Sequence, residues 1–251
     1  MSGGAVTAVP ERPVGAVLFD LDDTLYGQSQ WLDGAWRAVA GVGAPGIDES
    51  ALLETLRLVA AEGSDRGGII DRALACLGRA DVPVAPFVEA FRRFQPSKLT
   101  PYPGVDECLA ALAAVVPLGL VTDGDPVLQA SKLDALGLAH RFNVVVYSDE
   151  LGGRAARKPA VAPFAAALTE LGVAAHAAVY VGDRPDKDVA GAIAAGMRAV
   201  RVLTGEYRGA PNDPEPWLTV GGVAELAAAL GPVLQMGPGS AAGLDVDERE
   251  L

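Results

Sequence analysis

Three carboxylates, Asp20, Asp22 and Asp23, close the segment VGAVLFDLDDTLYG that runs from Val14 to Gly27. The apolar residues before them fit a strand covered on both faces, as in a parallel sheet. A strand that ends in acids delivers them to the carboxyl edge of such a sheet, where open α/β folds bind ligands. If strand geometry persists, Asp20 and Asp22, two apart, point to the same side. Clustered carboxylates repel and call for a cation or a shared proton. A hard divalent ion such as Mg2+ suits their oxygens. The plainer reading is a solvated acidic turn, and Asp23 in particular reads as a turn or capping residue.

The elements that position these acids follow from the rest of the chain. Between Gln28 and Leu99, apolar residues recur at helical spacing, as in Trp31, Leu32, Trp36 and Val39, and Gly- or Pro-rich breaks interrupt them. The spacing predicts four helices over residues 28–98 and no strand. From Pro101 onward strands alternate with helices: 118–121, 144–147, 177–181 and 200–203 read as strands, with a last helix near 223–231. That alternation predicts an α/β core, a Rossmann-like parallel sheet with helices on both faces, made by residues 14–27 and 99–234. Residues 1–13 and the acid-rich tail 235–251 read as disordered.

The strand ends make joint chemical sense. The first carries Asp20 and Asp22, the second Thr122, Asp123 and Gly124. The third is followed by Lys158 and Pro159, and the fourth by Asp183, with Asp186 and Asp188 just beyond. Carboxylates, one lysine, one hydroxyl and glycine-flanked amides suit a metal plus an anion, with phosphate the obvious candidate.

In this order and on these strands, the segments DLDDT, TDG, KP and GDRPDKD resemble the four motifs of the haloacid dehalogenase superfamily. The resemblance covers residues 14–27 and about 99–205, and residues 28–98 sit where phosphatase-like members carry a helical cap. It implies Asp20 as nucleophile, Asp22 as general acid/base, and Thr122 and Lys158 as phosphate binders. It also implies Mg2+ held by Asp20, the Asp22 carbonyl and Asp183, with Asp188 in support. Dehalogenases of the superfamily lack an acid at the position of Asp22, since halide needs no proton, so its presence favours phosphoester hydrolysis. The pattern often has Asn where this chain has Asp123, which would add negative charge beside a phosphate. The expected activity is a Mg2+-dependent phosphatase acting on a small phosphorylated metabolite. The alternatives are a sugar phosphomutase and a non-catalytic phosphate-binding regulator.

Composition narrows the partners. A net charge of −12 and a pI near 4.6 argue against nucleic acid and anionic membrane surfaces. Half the residues are apolar, enough for a large core. No apolar run approaches a membrane span, the start lacks a secretory pattern, and Cys76 and Cys108 lack metal-ligand spacing, so a reducing cytoplasm is expected. His140 and His176 read as surface or capping residues, and Arg66 is a cap residue that could reach a substrate or merely lie on the surface. The oligomeric state is not legible.

Overall fold

In the computed structural model, residues 13–63 and 66–234 are described. Of the two segments expected to be disordered, 1–13 and 235–251, all but residue 13 lies outside the described residues. Six parallel strands form one sheet in the order β3-β2-β1-β4-β5-β6. They are β1 (Ala16–Phe19), β2 (Leu118–Thr122), β3 (Val144–Tyr147), β4 (Ala178–Gly182), β5 (Arg198–Val202) and β6 (Leu218–Val220).

The strands are apolar on both faces because both faces are covered. In β1, Val17 and Phe19 join one buried cluster while Ala16 and Leu18 join another, as the two-residue period of a strand requires. The first cluster also takes Leu109 from α5 (Val105–Ala113), Leu133 from α6 (Pro126–Leu136) and Leu230 from α9 (Leu226–Leu234). The second takes Phe164 from α7 (Ala162–Leu171) and Ala192 from α8 (Ala190–Ala194). The expected α/β class and its two-sided helical cover are therefore observed.

The order in which successive strands are added reverses between β1 and β4, whose parallel backbones pair from Ala16–Ala178 to Phe19–Val181. The ligand crevice of such folds opens at this switch point. Asp20 and Asp183 follow directly on these neighbouring strands, and the Asp20 amide donates to the Val181 carbonyl at 2.9 Å.

Four helices precede α5: α1 (Ser29–Ala40), α2 (Glu49–Ala60), α3 (Ile69–Cys76) and α4 (Ala85–Arg93). They bury a cluster of their own that includes Trp36, Leu56, Leu74 and Phe87. Trp31 and Ala35, on α1, are instead buried with Leu25 and Leu99 in the main core. α6 shows how local sequence sets an element. Asp125 caps it by accepting from the amides of Val127 and Leu128, Pro126 opens it, and Gly137 ends it at φ +70°.

Two elements differ from the sequence reading. β6 was not expected; its three residues are too few to show a period, and it forms because it pairs with β5 from Val200–Leu218 to Val202–Val220. Buried Arg201 pins the intervening loop through Asn212 Oδ1 and the Tyr207 carbonyl. The segment Pro185–Val189, between β4 and α8, is a π-helical turn that the alternation of strands and helices did not announce. Among the described residues, no helix is long and apolar enough to cross a membrane.

Candidate active site

Lys158 is the cation around which the strand ends gather. Its Nζ donates to Asp20 Oδ1 at 2.5 Å, to Asp188 Oδ1 at 2.7 Å and to the Tyr180 hydroxyl at 3.0 Å. The Tyr180 hydroxyl donates in turn to the Val121 carbonyl at 3.0 Å, which fixes the lysine between β2 and β4. Burial works against the ammonium, but Asp188 and Asp20 outweigh it and hold Lys158 well above its ordinary range.

Asp20, Asp183 and Asp188 are all buried, and each offers a carboxylate oxygen within 4.8 Å of the others. One ammonium cannot neutralise three carboxylates. Burial, reinforced by Asp188 and Asp20, pushes Asp183 up to about 9. Burial also pushes Asp20 up to about 7, with Lys158 opposing and Asp188 adding. The donor set is hard, anionic and short of positive charge, so it fits a divalent cation. Gly182 makes the cluster compact: a Cβ there would stand 2.4 Å from the Asp188 carboxyl carbon.

The Asp22 carboxylate does not join this trio, although its charge acts on Asp20 and adds to the rise of that carboxyl. Lys132 Nζ donates to the two Asp22 oxygens at 2.9 and 2.8 Å, Tyr26 OH to Oδ1 at 2.6 Å and Gln129 Nε2 to Oδ2 at 3.1 Å. Burial opposes the charge, yet Lys132 and these hydrogen bonds outweigh it and hold the carboxyl below its usual range.

Thr122 is buried at the end of β2, and its Oγ1 accepts from Gln129 Nε2 at 2.5 Å. Gly124, at φ +127°, turns the chain toward α6. Asp123 is not part of the carboxylate trio: Oδ1 accepts from Ser148 Oγ at 2.8 Å and from the Lys158 amide at 3.0 Å. The charge expected beside a phosphate is thus engaged in holding the Lys158 backbone.

The remaining residues singled out lie elsewhere. Asp23 is a turn residue at φ +58° that accepts from the Gln28 and Glu206 amides, and a Cβ on Gly205 would strike it. Asp186 pairs with Arg184 and is exposed, Arg66 pairs with Glu62 on the surface, and both histidines are exposed. Sequence reasoning missed Gln129 and Lys132. The signal was there: both sit on the α6 face that also carries Leu133 and Leu136, where a purely structural helix would place apolar residues.

The family profile described as haloacid dehalogenase-like hydrolase matches residues 14–196. The chain belongs to this family. It is 39% identical over 210 residues to the glyceraldehyde 3-phosphate phosphatase of Methanopyrus kandleri, spanning 80% of this chain and 87% of that one. It is 41% identical over 178 residues to the phosphoserine phosphatase of Thermus thermophilus, spanning 69% of each. Among solved structures, the 2-haloacid dehalogenase of Pseudomonas syringae pv. Tomato DC3000 superposes with a TM-score of 0.59 at 29% identity, over 87% of this chain and 99% of that one. The chain is an enzyme, a hydrolase, and the naming its sequence relatives share makes it a phosphoric monoester hydrolase.

Proposed function

We propose that the protein is a Mg2+-dependent phosphatase of small phosphate monoesters that works through an aspartyl-phosphate on Asp20. The observation that carries this reading is the pair of separately held carboxylates. Asp20 sits on Lys158 beside Asp183 and Asp188, while Asp22 sits apart on Lys132. This separation supports Asp20 as the nucleophile and Asp22, outside the carboxylate trio, as the group that moves the proton.

In the first step a carboxylate oxygen of Asp20 bonds to phosphorus. The bond to the ester oxygen breaks, its electron pair stays on that oxygen, and Asp22 supplies the proton. In the second step water attacks the acyl phosphate and Asp22 takes its proton. The bond from phosphorus to Asp20 then breaks, and the carboxylate is regenerated. The proton gained from water is the one given to the next leaving oxygen. The hydrogen bonds from Lys132, Tyr26 and Gln129 favour the carboxylate form of Asp22, the form the second step uses. Lys158 sets a positive charge where an incoming phosphoryl group would otherwise meet only Asp20 and Asp188. Thr122 and the amides at Asp123 and Gly124 bind the phosphoryl oxygens.

Asp20, Asp183 and the Asp22 carbonyl would hold Mg2+, with Asp188 in support. The bound ion would offset charge between the carboxylates and the phosphoryl oxygens. Residues 28–98 act as a cap that covers the site and selects the leaving group, and the core of residues 14–27 and 99–234 runs the chemistry. Cys76 and Cys108 are both free thiols, in keeping with the cytoplasm as the working compartment.

The deciding experiment is a phosphate-release screen with Mg2+ against glyceraldehyde 3-phosphate, phosphoserine, other sugar and acid phosphates, and a 2-haloacid control. Phosphate release from one or more small alkyl esters, without halide release from the control, is the expected result. Halide release without phosphate release would overturn the reading.

A further inference from the structure

The cation on Asp22 comes from the core, but its seat comes from the helical insertion. Lys132 lies on α6 and is almost wholly buried, and its Nζ stands 4.4 Å from the ring centroid of Trp31 on α1. An aromatic face is a favourable cushion for an ammonium that has lost its water. Trp31 is buried in the main core but also meets the insertion, edge-on to Phe91 of α4 at 5.1 Å and tilted against Phe94 at 6.1 Å. One turn before Lys132, Gln129 joins Asp22 to Thr122. A chain of direct contacts therefore runs from the insertion through Trp31 and Lys132 to Asp22, and from Asp22 through Gln129 to the end of β2.

Stability does not explain this arrangement. Buried ion pairs are often matched or bettered by apolar residues of similar size. α6 already packs Leu133 and Leu136 into the core, and an apolar residue at 132 would extend that face. What Lys132 adds is direction: it grips both Asp22 oxygens and so fixes the plane of the carboxylate.

We propose that Lys132 is a positioning residue for Asp22, seated by Trp31, so that the placement of the helical insertion sets the aim of the acid/base at the leaving oxygen. This rests on the phosphatase reading above and adds to it the residue pair through which the insertion reaches the chemistry.

The test compares two esters in single turnovers. One is whichever of glyceraldehyde 3-phosphate and phosphoserine the wild type cleaves faster, an alkyl ester whose leaving oxygen needs a proton. The other is 4-nitrophenyl phosphate, whose leaving group departs as a stable anion. Lys132→Met is expected to slow release of the alkyl leaving group on the order of 100-fold, the usual weight of acid/base aid. Release of nitrophenolate is expected to change far less, and KM for either ester to stay close to wild type. Trp31→Leu should show the same selectivity at smaller size. The double variant should be no slower than Lys132→Met alone, because Trp31 acts through Lys132. Melting curves establish folding, and Lys132→Gln, which keeps one donor, and Trp31→Leu carry the comparison if Lys132→Met does not fold. Equal losses on both esters, or none, would overturn the positioning role, and fully additive losses in the double variant would remove Trp31 from it. A wild type that releases phosphate from none of the esters in the screen above would instead bring down the phosphatase reading itself.

Discussion

Gly182 and Asp188 lie so close that the strand end has no room for a side chain: a Cβ on the glycine would meet the carboxyl carbon of Asp188 at 2.4 Å and its Oδ2 at 2.5 Å. The same carboxylate receives Lys158 through Oδ1 and the Arg184 amide through Oδ2 at 3.0 Å. Gly182→Ala must therefore push Asp188 out of register with both. The expected outcome is a loss of metal affinity and turnover of about 10- to 100-fold, the range for disturbed supporting residues at a metal site. Mg2+ titration of activity checks it. An unchanged metal requirement would show that Asp188 does not support the ion.

Asp20→Asn should abolish turnover and acyl-phosphate trapping, because an amide is a poor nucleophile. The fold should survive, since the substitution removes one negative charge from a crowded buried cluster while keeping an oxygen for Lys158. Phosphate release and a melting curve on the same sample separate the two effects. Turnover near wild type would rule out the covalent route.

In metal-free buffer the acidic trio should make stability depend on pH. Asp20 and Asp183 titrate at about 7 and about 9 in the folded protein, well above the usual carboxylate value of 3.8. The folded state therefore holds more protons than the unfolded state between these limits, so stability falls as pH rises through that window. Tm in EDTA should drop by several degrees from pH 6 to pH 9. Mg2+ should abolish most of that slope and restore hydrolysis that EDTA stops. Full activity in EDTA, or a flat metal-free profile, would contradict a cation site at the trio.

How much of this was legible in the sequence depended on how local each signal was. Asp20, Thr122 and Asp183 each close or follow an apolar run, so the parallel sheet alone brings them to one edge. Lys132 and Gln129 reach Asp22 across 110 and 107 residues, and only the docking of α6 against the first turn reveals the contact. β6 was missed because three residues carry no period and its formation depends on an edge that β5 leaves open.

Asp123 stands where the family pattern often has Asn, and the structure says what the difference costs. Asp123→Asn keeps Oδ1 as acceptor for Ser148 and the Lys158 amide. It replaces Oδ2, a buried oxygen without a hydrogen-bond partner, by an amide group. The expected kcat and KM stay within a few-fold of wild type. Asp123→Ala leaves both donors unsatisfied and should cost about 1–3 kcal/mol of stability, with kcat falling as the Lys158 backbone shifts. A much larger loss in Asp123→Asn than in Asp123→Ala would mean that the carboxylate charge itself is used in catalysis.

The last prediction concerns the joint between the insertion and the core. Gln30, in the first turn of α1, exchanges two hydrogen bonds with the backbone of Thr100: its Nε2 donates to the carbonyl at 3.0 Å, and its Oε1 accepts from the amide at 3.1 Å. The outgoing and returning chain segments are thus clipped together, and the Tyr102 amide adds a bond to the Leu25 carbonyl at 2.9 Å. Gln30→Ala removes the clip and leaves the catalytic groups untouched. Because the clip is exposed, the stability cost should be small, about 1 kcal/mol. Freer motion of the insertion should lower kcat/KM for an alkyl ester, which needs leaving-group contacts and proton delivery, more than for 4-nitrophenyl phosphate. Arg66→Ala, at an exposed residue paired with Glu62, should leave the ratio between the two esters unchanged. Measuring both esters for both variants decides the matter: equal losses on the two esters in Gln30→Ala would mean that the joint contributes stability alone and that the insertion does not set substrate choice through it.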